Sequence, residues 1–443
     1  MKTQLGVRLA ALTAILALPT CTGPTGPSGA PGAPAAAGEQ GTPGATGPPG
    51  AQGAPGSGLT QDGGLASIPT SCLSPCHGFN GVVSQFQASV HYSAYVTNLG
   101  TDTAGEWTAP GSACGGCHAI DGLEQRVAGN VGVANGGAVT NLASGQLEYL
   151  DPVKHTVGEA TYAGSASVAE VYCTTCHAVT DATDPHRTGA VWTPGSFPFL
   201  VPSDATSSAF IETSASTSAI TGTSVGTLGA ANACVWCHKS RKDVTSYVTA
   251  SNVLTSTHWG PHEGPQADVF SGKGGYAYAG KTYGTSTHQA KLTCIDCHMP
   301  DRADNAGVAD HSFNARLSAC LNCHAGATSF DVNGGQSLIS AAMQELRVAL
   351  NGAGYLTRSA AAPYAALADA DLADGAFDLD QPRPGGGEAG ALTADQAGAL
   401  YDYILVARGG ARGVHNPKDV QQLVFDSIVA VTGNPPATIP RPQ

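Results

Sequence analysis

Five times the chain spells Cys-x-x-Cys-His: Cys114, Cys117 and His118; Cys173, Cys176 and His177; Cys234, Cys237 and His238; Cys294, Cys297 and His298; Cys320, Cys323 and His324. A sixth copy is longer by one residue, with Cys72, Cys76 and His77. Two thiols at this spacing can each form a thioether to a vinyl group on one edge of a haem. The histidine that follows then swings beneath the ring as the proximal iron ligand. Paired-cysteine zinc sites do not require a histidine directly after each pair. A disulfide framework gives no reason for one either. The six motifs use twelve of the 13 cysteines and leave only Cys21. The predicted cofactor is therefore six covalently bound haem c groups.

Each iron needs a sixth ligand, and the histidines can supply it. Of 14 histidines, the six motif residues leave His91, His155, His186, His258, His262, His288, His311 and His415. With only 20 Lys and Arg in the chain, so many histidines exceed what a solvent-facing role would explain. His311 and His186 lie close in sequence to a motif, and His258 and His262 are placed to serve two neighbouring haems. His415 stands at the start of a predicted helix, which would present its imidazole rigidly. Bis-His coordination implies low reduction potentials.

The elements that must position these groups are sparse. The composition is 42% hydrophobic but only 6% aromatic and 12% charged, with 58 glycines, too thin for several ordinary cores. The expected fold is mostly irregular coil with short α-helices, organised by haem. Residues 1–20 read as a signal peptide, with Lys2 and Arg8 ahead of a ten-residue apolar stretch too short to span a bilayer. Residues 21–58 carry Cys21, in a context resembling a bacterial lipidation site, and a Gly-x-y tract of collagen type from Gly23 to Gly56 interrupted at Ala35. That tract is either a semi-rigid spacer or a trimerising stalk. Residues 59–335 form the haem-binding body and 336–443 a helical C-terminal tail. In the tail, Gln336 to Leu350 has apolar residues at helical spacing. Thr393 with Gln396 makes a capping box, and Asn416-Pro417 opens a last helix.

The formal charge of −13 becomes −15 when Lys2 and Arg8 leave with the signal, which disfavours nucleic acid as a partner. The expected location is outside the cytoplasm, at the outer membrane through a lipid on Cys21, as a cell-surface or extracellular protein.

The six haem motifs, STHWGPH at Ser256–His262, HSF at His311–Phe313 and GVHNP at Gly413–Pro417 resemble the outer-surface multihaem c-type cytochromes of metal-respiring bacteria. That resemblance implies a bis-His haem wire outside the outer membrane. It would take electrons from redox partner proteins and pass them to an extracellular acceptor, such as a metal oxide, an electrode or a partner cell. It also implies assembly, as a filament or, through the stalk, a homotrimer. On this reading the chain is an electron carrier and not an enzyme. The alternative is a multihaem reductase of a small oxyanion such as nitrite or a sulfur oxyanion, which needs an open iron position.

Overall fold

The computed structural model describes residues 81–98, 114–118, 122–123, 131–133, 139–141, 146–150, 157–161, 171, 173–177, 231–240, 244–302, 305–386 and 391–443. The signal segment, Cys21, the Gly-x-y tract, Cys72, Cys76, His77, His155 and His186 lie outside the described residues.

The backbone is coil linked by helices of two kinds. Short helices occupy the cysteine-bearing part: α1 Val82–Gln87, α2 Val90–Asn98, α3 Gly115–His118, α4 Cys173–Cys176, α5 Asn232–Cys237, α6 Gln266–Ser271, α7 Thr287–Lys291, α8 Cys294–His298 and α9 Leu317–Leu321. Helices of one or two turns are marginal alone. Their positions must come from what packs on them. The C-terminal part has long helices, α10 Gly335–Gly352, then the short α11 Asp369–Ala373, then α12 Ala394–Gly409 and α13 Pro417–Thr432. The described strands form five two-stranded antiparallel pairs. One of these joins the two parts, Leu392–Thr393 pairing with Ser251–Asn252.

The segment read as a tail holds the larger hydrophobic cluster of the described chain. On α10 the buried residues Ile339, Ala342, Met343, Leu346 and Leu350 recur at helical spacing and form one face. The middle helix, α12, is buried on every side from Ala397 to Gly409. Against it α13 packs Val420, Leu423, Val424 and Ile428. Gly398 is required on α12, because a Cβ there would sit 2.1 Å from the Tyr276 ring. That close approach lets the Tyr276 amide donate to the buried Asp402 carboxylate at 2.7 Å. A smaller cluster, with Leu123, Val235, Trp236, Ala267 and Phe270, lies beneath the cysteine-bearing helices and packs against Cys294 and Ile295.

The capping box predicted from sequence forms. The Gln396 amide donates to Thr393 Oγ1 at 3.3 Å, and Gln396 Oε1 accepts from the Thr393 amide at 3.0 Å. Thr393→Ala is expected to lower stability by about 1 kcal/mol, read as a drop in thermal midpoint. At the next helix the outcome differs. Asn416 precedes α13 as predicted, but its side chain makes no capping bond. It accepts from the Ser286 amide at 2.9 Å and donates to the Phe270 carbonyl at 3.3 Å. Asn416 thus pins the helix start to the cysteine-bearing part.

Candidate haem sites

Each described Cys-x-x-Cys-His motif is a single helical turn. The histidine amide donates back to the first cysteine's carbonyl at 3.0 Å for His118, 2.9 Å for His177, 2.9 Å for His238 and 2.7 Å for His324. At Cys294 the whole motif is α8, started by a Thr293–Asp296 capping box. Residues i, i+3 and i+4 of a turn share one face. Both sulfurs and the imidazole therefore project to the same side, as attachment to one macrocycle requires.

All five described motif histidines face a second histidine from elsewhere in the chain. Ring centroids are 6.4 Å apart for His118 and His262, and 6.3 Å for His177 and His311. They are 5.8 Å apart for His238 and His91, 6.3 Å for His298 and His415, and 6.1 Å for His324 and His288. Two imidazoles ligating one metal from opposite sides, each at about 2.0 Å, place their centroids roughly 6 Å apart. The donor set thus fits five bis-His irons. His91 and His238 also aim their Nε2 atoms at one another, 3.5 Å apart.

Burial favours the neutral, ligating form of the distal rings. It pushes His91 down to about 4, with His238 adding to the effect. It does the same for His415, also to about 4, helped by His298. His311 is lowered by burial as well.

Several rings are held through Nδ1. His298 donates to the Phe313 carbonyl at 2.9 Å, His288 to Val414 at 2.7 Å and His311 to Ala309 at 2.9 Å. His238 Nδ1 donates to Gln266 Oε1 at 2.9 Å. His262 Nδ1 meets the Glu263 carboxylate, which is drawn down to about 2, first by this contact. Phe313 adopts φ 56°, a left-handed backbone costly for an aromatic residue. In that conformation its ring lies edge-on to His91 at 4.7 Å while its carbonyl holds His298. Phe313, Gln266 and Glu263 are functional candidates with no motif of their own in the sequence.

The turns lie next to one another. α3 packs against α5, and α8 against α9. The Cys234 thiol contacts the Cys294 thiol, which with burial raises it well above its usual range, and Cys176 adds to the rise. Sulfurs mark the haem edge, so neighbouring sulfurs mean neighbouring macrocycles. The motif at Cys234 thus adjoins those at Cys114, Cys173 and Cys294.

Of the distal candidates within the described residues, five are brought to a motif histidine. His258 is exposed and faces none of the described motif rings. Sequence proximity did not predict the pairs: His311, nine residues before Cys320, faces His177 instead. No described helix is long and apolar enough to cross a membrane.

Residues 281–434, about a third of the chain, match the family model of cytochrome c552. No curated protein and no solved structure matches. With the five facing histidine pairs, the match supports a multihaem c-type cytochrome. It does not single out the outer-surface, metal-respiring type. It also corrects the reading of the chain as a carrier and not an enzyme, because cytochrome c552 is associated with nitrite reduction.

Proposed function

We propose that this multihaem cytochrome reduces a small oxyanion such as nitrite, using its bis-His haems as the relay that brings electrons to the reacting site. The observation that carries the proposal is the cytochrome c552 match over residues 281–434, which contain two motifs and the distal residues His288, His311 and His415. When bound, haem c supplies one-electron chemistry at iron. The chain's residues would attach the rings through paired cysteines, hold the irons of the five described sites between two imidazoles, and fix several of those imidazoles through Nδ1.

A reductase needs an iron with an exchangeable position. The five described motif histidines each have a second imidazole opposite, so that position is assigned to the haem of Cys72, Cys76 and His77, whose attachment loop is also the odd one. The signal segment and Cys21 support action outside the cytoplasm, anchored at the outer membrane and fed by a redox partner protein. Six haem c groups are proposed in all.

The saturation of all five described sites favours a second reading, delivery of electrons to an extracellular acceptor. One set of measurements separates the two. The intact mass of matured protein is expected to exceed the polypeptide by six haems, and five would remove the Cys72 site. The oxidised protein is expected to show one high-spin haem per molecule by EPR, and the reduced protein to bind one carbon monoxide and be reoxidised by nitrite. A wholly low-spin protein, inert to nitrite but rapidly reoxidised by ferric oxide, would replace the reductase with the conduit.

A further inference from the structure

The axial histidines differ in what holds Nδ1: at one site it is a carboxylate, at the others a neutral oxygen. At the Cys114 site, His262 Nδ1 meets the ionised Glu263 carboxylate, which also pairs with Arg408 Nε at 3.3 Å. At the Cys234 site, His238 Nδ1 donates to a neutral amide oxygen, Gln266 Oε1, at 2.9 Å. At the Cys294 site, His298 Nδ1 likewise donates to a neutral oxygen, the Phe313 carbonyl, at 2.9 Å.

An acceptor on the outer nitrogen draws its proton away and makes the imidazole a stronger donor to iron, stabilising the ferric state. A carboxylate does this more than an amide, because charge-assisted hydrogen bonds are about twice as strong as neutral ones. α3 adjoins α5, so the Cys114 and Cys234 sites are neighbours.

We propose that Glu263 and Gln266 are positioning residues that set two neighbouring haem potentials apart, the Cys114 site below the Cys234 site. Electrons then run downhill from the Cys114 haem to the Cys234 haem. The proposal rests on the bis-His reading of the five sites, and extends it by giving the relay a direction.

Gln266 packs on more than the ring: its Nε2 reaches the Gly409 carbonyl at 3.4 Å. A loss of potential control must therefore be separated from a local disturbance. The test is spectroelectrochemical titration of fully matured protein carrying Gln266→Leu, Gln266→Glu or Glu263→Gln, with EPR of the low-spin signals at each potential.

Gln266→Leu is expected to raise one haem's potential, shifting its ferric/ferrous balance roughly tenfold, about 59 mV for one electron. Gln266→Glu should move the same haem the other way, which a merely structural loss would not do. Glu263→Gln should raise a different haem by a similar amount. Because Glu263 is largely exposed, that shift must persist at 1 M salt, where a through-space charge effect would be screened.

Unchanged potentials in all three variants, or a Glu263→Gln shift that vanishes in salt, would overturn the gradient. Failure of the bis-His reading shows differently: His262→Ala would then produce no new high-spin haem.

Discussion

Replacing His415 by Ala is expected to leave every haem covalently attached while converting one from low-spin to high-spin. Attachment depends on the thioethers of Cys294 and Cys297, which the substitution does not touch. Coordination depends on the second imidazole, and His415 is the ring that faces His298 at 6.3 Å. The loop bearing it is fixed independently. Asn416 is bonded to the Ser286 amide and the Phe270 carbonyl, and Gly413 packs against Ile339 and Val420, where a Cβ would lie 3.0 Å from Ile339 Cγ1. The mutant should therefore fold around an absent ligand and not around a displaced loop. EPR of the oxidised variant should show one more high-spin haem per molecule than the parent, and the reduced variant should bind one more carbon monoxide. Loss of a donor to ferric iron should also raise that haem's potential by a tenfold or greater change in its redox balance, about 59 mV per tenfold. An unchanged spectrum with unchanged potentials would take His415 off the ligand list.

The proximal half of each described site was legible because its chemistry is local. A thiol, a thiol and an imidazole that must share one turn leave a fixed spacing in the sequence. The distal half was legible only as a supply of histidines. His118 meets His262 and His177 meets His311 across well over a hundred residues, and no periodicity records such a meeting. The same contrast runs through the fold. The Thr393 cap and the apolar face of α10 are local features and were readable. The role of Asn416 was not, since its amide bonds to residues that only tertiary folding brings near. Composition misled on the core, because thinness averaged over the whole chain hid the concentration of Leu, Ile, Val and Tyr in α10, α12 and α13. The reductase stood in the sequence only as the alternative, because six motifs ending in histidine point to saturated irons; the family match over 281–434 is what supports it.

The helical core matters to the haem sites because it carries His415, and one buried ion pair holds that core together. Arg347 on α10 is fully buried, with its Nε 2.7 Å and its Nη2 2.9 Å from the two oxygens of the equally buried Asp380. Tyr403 on α12 donates to Asp380 Oδ2 at 2.5 Å, and Arg358 Nε to Oδ1 at 2.9 Å. The carboxylate thus accepts four bonds, the full capacity of its two oxygens. A buried pair adds little beyond what an apolar replacement would give, but removing one partner strands the other charge. Asp380→Ala leaves the Arg347 guanidinium in the core with only the longer Asp374 contact, at 3.4 Å, as counter-charge, leaves the Tyr403 hydroxyl without its acceptor, and is expected to cost about 3 kcal/mol. Arg347→Met should cost distinctly less, because Asp380 keeps Arg358 and Tyr403. The measurement is thermal unfolding followed both by far-UV circular dichroism and by the high-spin haem band. In Asp380→Ala the two signals should move down in temperature together, since the bundle that melts is the one presenting His415. If the melt shifts by less than in Arg347→Met, the pair does not hold the core. If it shifts but the spin-state transition stays where it was, the bundle does not hold the distal ligand.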